Sequence, residues 1–244
     1  MLSPRTFASG VLLLATLAWS SLGAASPDAA SSQGGSKPAA PKEGKGDATK
    51  PAANDESGFV PLFNGKDLTG WTGDTKGYLV EDGAIVCGPE GRNLYTSDEF
   101  GNFSFRFEFK LTPGANNGIG IRTPSEGDAA YVGMEVQILD NTAKQYESLK
   151  DYQFHGSIYG IAAAKREFLK PVGDWNAEEI IANGRSIKVI LNGETIVDVN
   201  LDEITKNGTL DGKEHPGLKN AKGHIGFCGH GDRVMFRNVR VKSL

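Results

Sequence analysis

The sequence predicts an all-β domain. Three observations carry that expectation: runs of strict apolar–polar alternation, Asp-Gly and Asn-Gly turn pairs between such runs, and 32 glycines in 244 residues. Together they describe many short strands joined by tight turns. The clearest run is Phe103–Leu111, whose phenylalanines fall on one face while Ser104, Arg106, Glu108 and Lys110 fall on the other.

Before the domain comes an address. Arg5 supplies a positive start, residues 11–19 are a short apolar core, and residues 20–25 offer small side chains for cleavage. Residues 1–25 are therefore expected to be a signal peptide and the protein to be exported. The apolar run falls short of the roughly 20 residues that a membrane-spanning helix needs. Residues 26–57 are rich in Ser, Ala, Pro, Gly and Lys and nearly free of large apolar side chains. Such a segment buries too little surface to offset its ordering entropy, so it is expected to be a disordered linker.

Residues 58–244 are long enough for one core and fit a single domain. The net charge of −4 provides no basic field, so nucleic acid and anionic membranes are poor partners. No transmembrane segment is expected once the leader is removed. The two cysteines, Cys87 and Cys228, could pair in an exported protein or be two small buried side chains.

The strands follow in order. Phe63, Leu68 and Trp71 surround an Asn64-Gly65 turn and are expected to plug one end of the core. Residues 78–81 and 84–87 flank Asp82-Gly83 as a hairpin, and residues 94–96 form a short strand. In residues 116–122, Ile119 and Ile121 point one way, Gly120 and Arg122 the other. A glycine there clears room for a ligand, and Arg122 adds a rigid fork of donors suited to an oxyanion or to ring hydroxyls.

Residues 133–140 are the stretch on which the rest is organised. Met134, Val136 and Ile138 face the core, which leaves Glu135 and Gln137 on the open side. Same-face neighbours on a strand sit roughly 6.5–7 Å apart, a spacing that lets two groups grip one sugar ring. Residues 141–173 then form a long irregular stretch containing Tyr152, His155 and Tyr159; stretches of that length commonly wall a site. His155 has the side chain suited to proton transfer near neutrality.

Strands are expected at 178–182, 186–191 and 194–199, with Asn192-Gly193 turning the last pair, and residues 201–217 read as a surface excursion. The chain closes with two strands around Gly229-His230-Gly231-Asp232, with an irregularity near Asn238. Glycines on both sides of His230 would let backbone approach a ligand while one imidazole is presented.

With its motifs in this order, the chain resembles the 3-keto-disaccharide hydrolase domain family. The resemblance rests on residues 62–71 (Leu-Phe-Asn-Gly-Lys-Asp-Leu-Thr-Gly-Trp), 116–122 (Asn-Asn-Gly-Ile-Gly-Ile-Arg) and 135–140 (Glu-Val-Gln-Ile-Leu-Asp). Trp175-Asn176, Asn192-Gly193, Gly229-His230-Gly231 and residues 234–239 complete it. It implies a concanavalin-A-like jelly-roll sandwich of two antiparallel sheets.

It also implies a carbohydrate substrate of an uncommon kind. A standard glycosidase flanks the scissile bond with two carboxyl groups, whereas the central strand offers Glu135 and then an amide. A 3-keto sugar needs only one base, because the ketone acidifies the neighbouring C2 hydrogen. Elimination at C1 and hydration can follow. Glu135 or a histidine is the expected base, Arg122 the group holding negative charge, and His155 and His230 the remaining acid–base candidates. Gln137, Asn117, Asp140, Tyr159 and Trp175 are expected around the substrate. The cofactor requirement stays open: a divalent metal held by Glu135 and a histidine could replace Arg122 as electrophile. The alternatives are a non-catalytic, lectin-like carbohydrate-binding module and a structural domain without a ligand.

Overall fold

The structure is a computed structural model that describes residues 55–244. The expected leader, and the expected linker up to residue 54, lie outside the described residues. Glu56, which falls at the end of that linker, is already tied to the domain: its carboxylate pairs with Arg240 at 2.7 Å and with Arg106 at 3.2 Å.

Among the described residues, thirteen strands form two antiparallel sheets. They are β1 (Val60–Pro61), β2 (Trp71–Gly73), β3 (Tyr78–Glu81), β4 (Ala84–Cys87), β5 (Asn93–Thr96) and β6 (Phe103–Leu111). β7 (Asn116–Thr123), β8 (Met134–Leu139), β9 (Trp175–Asn183), β10 (Ser186–Leu191) and β11 (Glu194–Asn200) follow, then β12 (His224–Cys228) and β13 (Val234–Ser243). The larger sheet runs β11-β10-β9-β6-β13-β4-β3, with β1 added beside β13. The smaller runs β2-β5-β12-β7-β8. This is the two-sheet, all-β architecture expected from the sequence.

Alternation explains why the sheets face each other. Phe105, Phe107 and Phe109 of β6 are fully buried, while Arg106, Glu108 and Lys110 between them are only partly so. Across the interior, Phe227 of β12 stacks on Phe236 of β13 with centroids 3.9 Å apart, and Trp71 stacks on Phe227 at 5.1 Å. Each such ring contributes about 1.5–3 kcal/mol by leaving water. The Trp71 ring nitrogen donates to the Leu62 carbonyl at 2.8 Å, which fixes it as an interior anchor. Asp82 and Asn192, at the two hairpin turns, both take positive φ, as a two-residue turn of this hand requires. The irregularity near Asn238 is a β-bulge: its φ is 52° and the β13–β6 register shifts between Arg237 and Arg240.

Both cysteines are free and buried. Among the described residues, no helix is long and apolar enough to cross a membrane. Among the described residues, two short α-helices interrupt the strands: α1 (Ala129–Val132), between β7 and β8, and α2 (Leu201–Ile204), after β11. The stretch 201–217 is more than a surface excursion, since it buries Leu201 and His215.

Candidate active site

The open face of the smaller sheet carries a cavity of about 270 Å³. β8 forms its floor. Glu135, Gln137 and Leu139 lie on one face of that strand by parity, opposite the core-facing Met134, Val136 and Ile138, and all three line the cavity. As an edge strand β8 would show unpaired backbone, but residues 156–159 cover it. Gly156 N–H donates to the Gln137 carbonyl at 2.8 Å, Gln137 N–H to the Ser157 carbonyl at 3.0 Å, and Tyr159 N–H to the Glu135 carbonyl at 2.9 Å. The long irregular stretch thus holds the floor straight and sets Tyr159 beside it.

Glu135 owes its position to a missing side chain on β7. A Cβ at Gly118 would lie 2.6 Å from Glu135 Cγ and Cδ. The glycine therefore makes room for the carboxylate itself. Sequence periodicity assigns that service to Gly120, for the benefit of a ligand; a Cβ at Gly120 would instead meet the Cys228 thiol at 3.2 Å.

One Glu135 oxygen lies 3.4 Å from His230 Nε2. The carboxylate is 5 % exposed and the imidazole 44 %. The hydrogen bond with Glu135 raises the His230 pKa above its ordinary value; desolvation works against the rise, and the charges of Glu135, Asp128 and Asp232 add to it. The loop bearing His230 is held from two sides. Asp232 accepts the Asn116 N–H at 3.0 Å. Gly229 presses so closely on the 91–92 backbone that a Cβ would sit 2.7 Å from the Arg92 carbonyl oxygen. The glycine before His230 thus serves backbone packing.

The walls are aromatic. Tyr131, Tyr146 and Tyr159 line the cavity with Asn116, Asp128, Leu149 and Gln153. Tyr131 and Tyr152 each meet the Tyr159 ring edge-on, with centroids 6.4 and 6.0 Å away. Burial raises the Tyr159 pKa, so it remains a neutral hydroxyl. Behind Tyr131, the His215 ring lies tilted with its centroid 4.7 Å away and bonds Asp211 at 3.1 Å, while Lys213 Nζ donates to the Tyr131 hydroxyl at 2.8 Å.

Of the residues singled out from sequence, the cavity gathers Glu135, Gln137, Tyr159 and His230. The others lie elsewhere. Arg122 donates to the carbonyls of Gly101 and Gly184 at 2.9 and 2.8 Å and to Asn102 at 3.2 Å. Simple alternation fails there because β7 bulges: Arg122 has φ 48°, and the β12–β7 register shifts between His224 and Gly226. Its guanidinium closes one end of the sheet.

His155 is buried between the sheets, with Nε2 3.1 Å from Glu178 and its ring 5.0 Å from Phe109. Its Nδ1 accepts the Leu139 N–H at 3.3 Å, so it supports the floor from behind. Asn117 shares the core-facing side of β7 with Ile119, beside Tyr78 and Cys87. Asp140 accepts from Gly114 N–H at 2.8 Å and from Thr142, bonds that outweigh its burial and lower its pKa. Trp175 lies on the outer face of the larger sheet, with Arg237 4.0 Å and Lys110 4.9 Å from its ring centre.

Sequence reading misses Asn116, Asp128, Tyr131, Tyr146, Leu149 and Gln153. One signal was present: Asp128 precedes Ala-Ala-Tyr as a helix N-cap, and it accepts the Ala130 N–H at 3.1 Å. Among the described residues, no three His, Cys, Asp or Glu side chains converge as a metal set. Glu135 and His230 supply two donors, so a divalent ion there would take its other ligands from substrate oxygens and water.

Residues 58–242 match the 3-keto-alpha-glucoside-1,2-lyase-like domain family. The chain is 28 % identical over 231 residues to a 3-keto-disaccharide hydrolase of Bacteroides thetaiotaomicron, covering 78 % of this chain and 80 % of that protein. A crystal structure from Parabacteroides distasonis, described as a "putative glycosyl hydrolase", superposes with TM-score 0.66 at 28 % identity over 77 % of this chain and 94 % of that one. A galectin-like Bacillus subtilis protein of unknown function reaches TM-score 0.50 at 14 % identity over 76 % and 94 % of the two chains, a likeness of fold alone.

Proposed function

The chain belongs to the 3-keto-alpha-glucoside-1,2-lyase-like domain family, and from that premise we propose that it cleaves 3-keto-glycosides by elimination and rehydration. The observation that carries the reading is the Glu135–His230 pair: a recessed carboxylate 3.4 Å from an accessible imidazole whose proton is held by that contact. Glu135 removes the C2 proton, and the electron pair moves toward the C3 ketone to give an enolate. The enolate expels the C1 substituent, which takes a proton from His230 as it leaves. Water then adds at C1 and a proton returns to C2, so the sum is hydrolysis. One base and one acid suffice, each of a type that commonly contributes about 10²–10⁴-fold.

Arg122 has no part in this scheme. The Gln137 side-chain amide, which bonds no protein group among the described residues, and the Tyr131 and Tyr159 hydroxyls supply donors for the ketone and ring oxygens. The leader signature in residues 1–25 supports placing the reaction outside the cytoplasm; sequencing the mature N-terminus tests that part.

The decisive experiment incubates the protein in deuterium oxide with a 3-keto-glucoside and with its reduced counterpart, each with and without chelator. The expected result is release of free 3-keto sugar carrying deuterium at C2, with the reduced compound untouched. Glu135→Gln should lower turnover at least about a hundredfold. Retention of both compounds without product would replace the enzyme with a carbohydrate-binding module.

A further inference from the structure

The Glu135 carboxylate does not stay over its register partner Gly120 but leans across to Gly118, whose missing side chain it replaces. The next residue on that face of β7 is Asn116, roughly 6.5–7 Å further along the strand. That step carries a ligand from the ring over Glu135 to the ring beside it. Asn116 lines the cavity, and its Oδ1 is buried with no hydrogen-bond partner among the described residues. Its backbone is fixed on both sides: Asn116 pairs with Leu139 of β8, and its N–H donates to Asp232 at 3.0 Å.

A second acceptor stands at the same end. The Tyr146 hydroxyl commits its proton to the Gly114 carbonyl at 3.0 Å, so toward a ligand its oxygen can only accept. Leu139 and Leu149 supply hydrocarbon around these two oxygens. Apolar surface edged by free acceptors complements a pyranose, which has C–H groups on its faces and O–H donors around its rim. The site also has a direction. Tyr131 and Tyr159, the donors for the ketone, flank the other end of the floor: α1 leads into β8, and Tyr159 N–H bonds the Glu135 carbonyl. Phe227 of β12 lies opposite Ile119 of β7, so the loop after Cys228 leaves toward Asn116. His230 thus enters from the Asn116 side, where a departing group takes its proton.

We infer that Asn116 sets the choice of leaving group: its Oδ1 accepts a hydroxyl of the ring expelled at C1, and the Tyr146 oxygen accepts a second. This inference rests on the elimination reading of the site. A leaving group of the same shape without hydroxyls covers the Asn116 oxygen and leaves it unbonded, which lowers affinity. A site built around a substrate hydroxyl discriminates strongly against the analogue that lacks it.

The test uses two 3-keto-glucosides, one joined to O4 of glucose and one to tetrahydropyran-4-ol, the same ring without its hydroxyls. The two alcohols also differ in how readily they leave, so the readout is the ratio of their kcat/KM values. Comparing that ratio between wild type and Asn116→Leu cancels intrinsic leaving ability. The preference for the glucose compound should fall by about tenfold in the variant, as expected for one hydrogen bond. An unchanged ratio overturns the assignment. If circular dichroism shows Asn116→Leu unfolded, Asn116→Ala takes its place with the same expected loss.

Calorimetry with the two unoxidised glycosides gives a second measure that needs no turnover. Wild type should bind the glucose-bearing compound about tenfold more tightly, and the variant should lose that difference. Equal affinities in wild type overturn the assignment. If neither 3-keto compound is cleaved, the elimination reading fails separately, and these affinities alone judge Asn116.

Discussion

The Glu135 carboxylate fills the space that a side chain at residue 118 would occupy, with Cγ and Cδ each 2.6 Å from an ideal Cβ there. Gly118→Ala must therefore move either the carboxylate or the strand beneath it. Overpacking of this kind costs about 1–3 kcal/mol. Because the displaced group is the proposed base, the loss should be larger in rate than in stability. Turnover of a 3-keto-glucoside should fall by about 10²-fold, as a roughly 1 Å misplacement allows, while the variant stays folded by circular dichroism. Unchanged kinetics would mean that Glu135 has room to shift without consequence.

His230 should titrate above its ordinary value because Glu135 stabilises the imidazolium. A folded-state pKa above the unfolded one contributes stability that is complete below about pH 6.5 and is lost as pH rises through the folded value. Glu135→Gln removes the partner charge. It should lower the His230 midpoint seen by NMR, and it should destabilise the protein at pH 6 more than at pH 9. A midpoint that stays put would show that the 3.4 Å contact is not held in solution.

Much of this architecture is legible because strand periodicity is a local signal. The alternation in Phe103–Leu111 and the parity of Glu135 and Gln137 need no knowledge of distant residues. Arg122 escapes that logic. Its orientation depends on a bulge against β12, about a hundred residues later in the chain, and nothing in Gly-Ile-Arg announces the bulge. The tyrosine walls escape it for a similar reason: Tyr131 on the short helix α1 and Tyr146 on the turn after β8 are brought to the cavity only by the finished sheet.

Arg122 yields a prediction opposite to the one its sequence context invites. Its guanidinium satisfies two backbone carbonyls and is almost fully buried. Arg122→Met leaves those acceptors without donors, at about 1–3 kcal/mol each where burial is complete. The melting temperature should drop by several degrees. Activity per folded molecule should stay within about threefold of wild type, since the group touches nothing in the cavity. A large loss in kcat at unchanged stability would return Arg122 to the chemistry.

The last prediction concerns the buried histidine–carboxylate contact behind the floor. Glu178 stands on the interior face of β9, its register partner being Phe107, and His155 Nε2 lies 3.1 Å from its carboxylate with both side chains essentially unexposed. Because His155 Nδ1 accepts the Leu139 N–H, the ring proton lies on Nε2, the nitrogen nearest Glu178. Taking away the imidazole alone leaves a carboxylate in hydrocarbon, which costs about 3–5 kcal/mol. His155→Leu should therefore melt far below wild type. The double variant His155→Leu with Glu178→Leu should recover most of that loss, since an apolar pair leaves no buried carboxylate to desolvate. If the histidine served proton transfer, the double variant would be stable but inactive. A supporting role predicts a stable double variant whose kcat is largely kept, with a higher KM as the floor at Leu139 loosens. Denaturation and kinetics on the three variants separate the two outcomes.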